Sequence, residues 1–181
     1  MIRNAGTLSL GLALAVALSL APRHAAAEAP LSVGAGFSIL LVERGAVFGW
    51  RADFGVELRP WLQVVGDVCG HYGHDGAEQW SIHHVLVGAR FQLPRRVTPF
   101  ATALIGPLVY TEENESGGHS SYGWFAVGIG GGVDVSIGPR FLLRAQADAL
   151  WHAGVLVPNG RFTIGLVARL GAAPATRPPA R

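Results

Sequence analysis

Apolar and polar side chains alternate with a period of two along most of this chain, the spacing of strands that face a different environment on each side. Val47 to Arg59 is the clearest stretch. Phe48, Trp50, Ala52, Phe54, Val56 and Leu58 fall on one face, and Gly49, Arg51, Asp53, Gly55 and Glu57 on the other. The same parity predicts strands near Leu31–Leu41, Leu62–Tyr72, His84–Leu93, Tyr122–Ile137, Phe141–His152 and Arg161–Leu170. Pro99–Tyr110 has strand length but is apolar on both faces, so its parity stays open. Tight turns at Arg59-Pro60, Pro94-Arg95-Arg96 and Gly138-Pro139-Arg140 alternate with longer polar connections around Arg44, Gly73–Gln79, Thr111–Ser121 and Ala153–Gly160.

The N-terminus has a different pattern. Arg3 precedes an apolar run from Leu8 to Leu20, then Pro22 and the small residues Ala25-Ala26-Ala27. That is the layout of a secretory signal, with cleavage expected after Ala27. No other apolar run reaches the ~18 residues of a transmembrane helix, although half the residues are hydrophobic. An exported apolar chain of this kind must close its backbone hydrogen bonds in a soluble core or a lipid-facing barrel. The expected fold is all-β, an eight-stranded antiparallel up-and-down transmembrane β-barrel. Residues 28–171 would form it, after a cleaved signal peptide (1–27) and before a disordered C-terminal tail (172–181).

Charge then sorts the two faces. The chain has no lysine, and removal of Arg3 and Arg23 with the signal leaves 12 arginines against 12 acids. That balance argues against a nucleic-acid partner. Alternation sends Arg51, Arg90, Arg144 and Arg169 inward with Asp53, Glu57, Asp67, Asp134 and Asp148, a lumen network expected to pair internally. The predicted outer rim holds His74, Asp75, Glu78, Glu112, Glu113, Glu115 and His119, with Glu43, Arg44 and Arg161. Arg59, Arg95, Arg96 and Arg140 go to the periplasmic side, and no charge faces lipid, where a midplane arginine costs ~2–4 kcal/mol. Aromatics collect towards both rims. Phe48, Trp50, Tyr72, Trp80, Tyr110 and Trp151 fall near the outer one, and Trp61, Phe91, Phe100 and Phe141 near the other.

Several stretches resemble the outer-membrane-protein β-barrel family of small OmpA-like barrels: Arg96-Val97-Thr98-Pro99-Phe100 leading to Leu104-Ile105-Gly106, Ala126 through Val135, Leu143 through Asp148, and Arg161 through Leu166. The resemblance spans Leu31 to Gly171 and implies a fold and a location in the bacterial outer membrane, with no inherited catalytic residues. Members usually end on an aromatic; here the last predicted strand ends Arg169-Leu170-Gly171.

Other chemistries find less in the residues. The histidines His71, His74, His83, His84, His119 and His152 fall towards the predicted outer end beside acids, but no ligand spacing repeats, so loop composition accounts for them. His152-Ala153-Gly154 faintly resembles the histidine-serine stretch of lipid A deacylases, yet Ala153 stands where the nucleophile is required. Gly128, Gly130 and Gly132 lie on one strand face with no following helix, which suits a crowded interior and not a phosphate loop. Cys69, the only cysteine, reads as a packed inward residue. The expected function is therefore a non-enzymatic, monomeric outer-membrane barrel with a filled lumen, no cofactor, and lipid and lipopolysaccharide as neighbours. A narrow channel, an adhesin or a soluble lipocalin-like binder are the alternatives.

Overall fold

The computed structural model describes residues 30–43, 45–75, 78–113, 118–152 and 158–171. The expected signal peptide and tail, and Arg44, Glu115 and Ala153, lie outside these residues, as do the side chains of Asp75 and Glu78. Eight strands run in order: β1 (Leu31–Val42), β2 (Gly45–Arg59), β3 (Leu62–Asp75), β4 (Glu78–Gln92), β5 (Val97–Glu113), β6 (His119–Ser136), β7 (Phe141–His152) and β8 (Asn159–Leu170). Each pairs antiparallel with its sequence neighbour, and β1 pairs with β8, so the sheet closes without an edge. Among the described residues no helix is long and apolar enough to cross a membrane, a point that says nothing about spanning by strands.

Both ends of the barrel and the three short connections share one rim, here the terminal rim. The far, or distal, rim carries the turn at Glu43, where Gly45 opens β2 at φ +126°, and the other three connections. Two of the distal connections are shorter than the sequence suggested. Pairing continues as far as His74↔Gln79 and Glu113↔His119, so Gly73–Gln79 and Thr111–Ser121 are largely strand. At ~3.3 Å per residue and a tilt of ~40°, a 12-residue strand covers ~30 Å of the barrel axis, while β5 and β6 cover ~43–46 Å. The β5–β6 hairpin thus rises beyond the rest of the barrel. Residues on both faces of β6 are exposed there, and the two-residue alternation fades.

The exterior is apolar. Val33, Phe37, Phe54, Val64, Val87, Ile105, Phe125, Ile129, Leu143 and Ile164 all point outwards, and a groove of about 410 Å³ between Phe37, Phe162 and Val133 has Ala145 and Ala147 in its wall. Towards the distal rim Phe37 stacks on Phe48 at 5.8 Å, and Trp50 Nε1 donates to Tyr72 Oη at 3.2 Å. Towards the terminal rim Trp61 stacks on Phe91 at 6.2 Å. Aromatic girdles at two levels flank the lipid-facing band of membrane barrels. Three aromatics expected in them turn inwards instead. Trp80 and Phe100 are buried, and Tyr110 is half-buried.

Candidate functional site

Parity on β5 decides what the lumen contains. Thr98, Phe100, Thr102, Leu104, Gly106 and Leu108 point inwards, and Pro99, Ala101, Ala103, Ile105 and Pro107 outwards, which settles the strand the sequence left open. Within the lumen, four buried arginines, Arg51, Arg90, Arg144 and Arg161, meet four buried aspartates, Asp53, Asp67, Asp134 and Asp148. Arg144 on β7 holds Asp134 on β6 bidentately, Nε and Nη2 each at 2.7 Å, and its Nη1 reaches Asp53 on β2. Arg161 on β8 grips Asp148 on β7 through Nε at 3.0 Å and Nη2 at 2.8 Å, and donates through Nη1 to Asp67 on β3 at 2.8 Å. Arg51 Nε donates to Asp67, and Arg90 Nη2 to Asp53 at 3.3 Å. Phe100 lies beneath two cations, its centroid 4.8 Å from the Arg90 Cζ and 5.1 Å from that of Arg144.

Arg161 is the main correction. The sequence reading placed it on the outer rim because it opens its strand. The structure puts its side chain inside, fully buried, because β8 begins two residues earlier at Asn159 and keeps the inward parity of Thr163. Arg169 and Glu57 are only half-buried, at the terminal rim, where Arg169 supplies favourable charge to Glu57. Around the cluster, Gln146 Nε2 and Thr102 Oγ1 donate to Asp148 at 2.7 and 3.4 Å. A void beside Arg51, Asp53 and Arg144 measures about 10 Å³, room for no more than a single water.

A second layer was invisible in the sequence. Leu40, Val47, Trp80, Ile82, Leu86, Leu104, Leu108 and Leu150 pack together as an apolar core inside the barrel. The histidines fall into three groups, with His83 and His152 half-buried. His74 and His119 are exposed at the distal rim, where His119 Nε2 lies 3.8 Å from Glu113, but His71 and His84 are fully buried in the lumen. His71 Nε2 lies 2.9 Å from Ser38 Oγ, and His84 Nδ1 lies 3.3 Å from Cys69 Sγ. Arg161 Nη1 also donates to that sulfur, at 3.2 Å.

Above the apolar core, the inward parity continues onto the projecting hairpin. Trp80, Tyr110, Tyr122, Trp124 and His152 form a chain of ring contacts: Trp80–Tyr110 at 6.1 Å, Tyr110–Tyr122 at 6.5 Å, Tyr122–Trp124 at 5.8 Å and Trp124–His152 at 6.2 Å. Tyr122 remains 50% exposed and Trp124 37%, so this aromatic ledge is open to solvent at the mouth. Glu112 is half-buried on the same hairpin, and Glu113 is exposed. Sequence reasoning passed over Trp124; its two-residue spacing from Tyr122 and Ala126 was the available signal.

This closed eight-stranded architecture is that of the small bacterial outer-membrane barrels. No protein-family profile matches the chain, and no curated protein matches it in sequence. Among solved structures, Neisserial surface protein A is similar with a TM-score of 0.64 at 15% identity, over 78% of this chain and 97% of that one. Ail, the attachment invasion locus protein of Yersinia pestis, solved with the heparin analogue sucrose octasulfate, gives a TM-score of 0.60 at 16% identity, over 79% and 99%. The N-terminal β-barrel domain of Pseudomonas aeruginosa OprF gives 0.59 at 13% identity, over 79% and 98%. At such identities the likeness is one of fold, and it matches the barrel class that the sequence motifs resemble.

Proposed function

We propose that this chain is an integral β-barrel of the bacterial outer membrane, exported by a cleaved signal peptide, whose work is done at its distal surface. One observation carries the reading: a closed sheet with a continuous apolar exterior sends the charges of its strands' midsections inwards. A soluble lipocalin-like barrel needs the reverse, a polar exterior around an apolar cavity. The lumen is packed with paired charges and leucines, so solute passage is not its function. Catalysis is not part of this reading either, since the nucleophile–base pairs among the described lumen residues, Cys69–His84 and Ser38–His71, are sealed at 0% exposure.

A surface-interaction role is favoured by the projecting β5–β6 hairpin and its open aromatic ledge. Ail was solved with a sulfated heparin analogue; here Glu112 and Glu113 repel a polyanion. The acidic rim suits divalent cations that bridge lipopolysaccharide phosphates. Membrane fractions run unheated and boiled on a denaturing gel test the location. A mobility shift in the outer-membrane fraction is expected, and full solubility without detergent would refute the reading.

A further inference from the structure

Three metal-ligating groups converge in the lumen at the edge of the charge network, where Arg161 reaches the Cys69 sulfur. Cys69 and His71 are two residues apart on β3 and share its inward face, and His84 on β4 is the direct cross-strand partner of Cys69. One ligand atom from each lies within 4.8 Å of the other two. All three residues are 0% exposed. Two of their ring nitrogens, His71 Nδ1 and His84 Nε2, are buried and have no hydrogen-bond partner. Buried polar atoms are normally satisfied, and the unclaimed Nδ1 of His71 beside a thiol calls for an explanation.

We propose that Cys69, His71 and His84 form a site for one soft monovalent metal ion, with copper(I) as the chemical match. A thiolate and two imidazoles are a ligand set that copper favours. Metal bonds of ~2.0–2.3 Å place donor atoms ~3.3–3.8 Å apart. Cys69 Sγ and His84 Nδ1 already stand at 3.3 Å, and His71 needs a shift of about 1 Å to join them. The Ser38 contact at His71 Nε2 orients that ring and leaves Nδ1 unclaimed, as outer-shell partners of metal ligands do.

Charge selects the ion. The four buried arginines and four buried aspartates balance, and Asp67, the acid near Cys69, already accepts from Arg51 and Arg161. On binding, a copper(I)–sulfur bond forms, the S–H bond breaks, and the proton leaves to solvent with no change of oxidation state. The lumen total is then unchanged. A divalent ion would add one uncompensated positive charge beside Arg161, whose Nη1 is 3.2 Å from the sulfur.

The test refolds the barrel into detergent micelles with copper(I) under anaerobic, reducing conditions, then strips surface ions with a competing chelator. Copper content and X-ray absorption are read on protein shown to be folded by heat modifiability. We expect one copper per wild-type barrel with a sulfur scatterer, and at least a tenfold loss in folded Cys69→Ser and His84→Asn. A triple alanine variant of His74, His83 and His119 should keep its copper. Equal copper in wild type and Cys69→Ser, or loss of copper in the surface-histidine variant, would each overturn the site. Should neither substituted lumen refold, the wild-type spectrum decides alone: no copper–sulfur scattering, no site.

Discussion

Arg161 on β8 reaches Asp67 on β3 across the lumen, Nη1 to Oδ1 at 2.8 Å, from a wall three strands away around the closed sheet. Arg144 on β7 makes the matching strut to Asp53 on β2, also three strands away. Each arginine grips an aspartate on a neighbouring strand with two nitrogens and spends a third on the opposite wall. The barrel is therefore braced through its interior as well as around its hoop of backbone hydrogen bonds.

Removing Arg161 alone should cost more than removing it together with Asp148, the carboxylate that has no other cation. Arg161→Met leaves Asp67 and Asp148 short of a cation in a sealed space, and breaking a buried pair in this way costs ~3–5 kcal/mol. Asp148→Asn in the same background should recover part of that loss, because Asp67 keeps Arg51 and no buried carboxylate is left without a cation. Urea unfolding of the refolded barrel, followed by gel mobility, measures both variants. Strictly additive losses would mean that the two side chains do not interact.

The outward face should tolerate no charge at mid-depth. Ile105→Arg places a cation on the lipid side of β5 and should destabilise the barrel by ~2–4 kcal/mol. Ser121→Arg, on the projecting part of β6, should change stability by less than ~0.5 kcal/mol. Equilibrium unfolding in lipid vesicles compares the pair, and equal effects would contradict the placement of the membrane band.

Conductance should be absent. The void beside Arg51, Asp53 and Arg144 is about 10 Å³, and the apolar core closes the lumen towards the distal rim. Planar-bilayer recordings of the purified barrel should be silent across the usual voltage range. Stable single-channel steps would show that the struts part in the membrane.

Two glycines separate crowding from flexibility. A Cβ on Gly130 would run into the Asp148 carboxylate and the Ala147 carbonyl, whereas one on Gly123 meets only open space. Gly130→Ala should cost ~1–3 kcal/mol through overpacking. Gly123→Ala should be close to neutral, and thermal unfolding of the two variants checks the contrast.

Most of the barrel was legible because water-free lipid imposes a strict rule on one face. Arg51, Asp53, Arg90 and Arg144 could be turned inwards from parity alone. The rule fails where the inside is apolar too. Leu104 and Leu108 face the inner leucine core while Ile105 and Val109 face outwards, so β5 carries no polarity signal. It also fails above the membrane, where Glu113 and His119 pair in a strand that water surrounds. Arg161 was misplaced because a strand start was taken for a rim, and the cluster of Cys69, His71 and His84 needed the β3–β4 register. No pattern along the chain states which residue of one strand lies opposite which residue of the next.

The position of Arg161 in the chain has a consequence for assembly. Asp67 and Asp148 are laid down on β3 and β7, and the guanidinium that bridges them arrives on the final strand. Until β8 docks between β7 and β1, Asp67 has Arg51 as its cation, and Asp148 has only the neutral donors Gln146 and Thr102. Completion of the cylinder and neutralisation of its centre are therefore a single event. A chain stalled one strand short carries an open seam and an electrostatic penalty together, which favours a last step that is all or none.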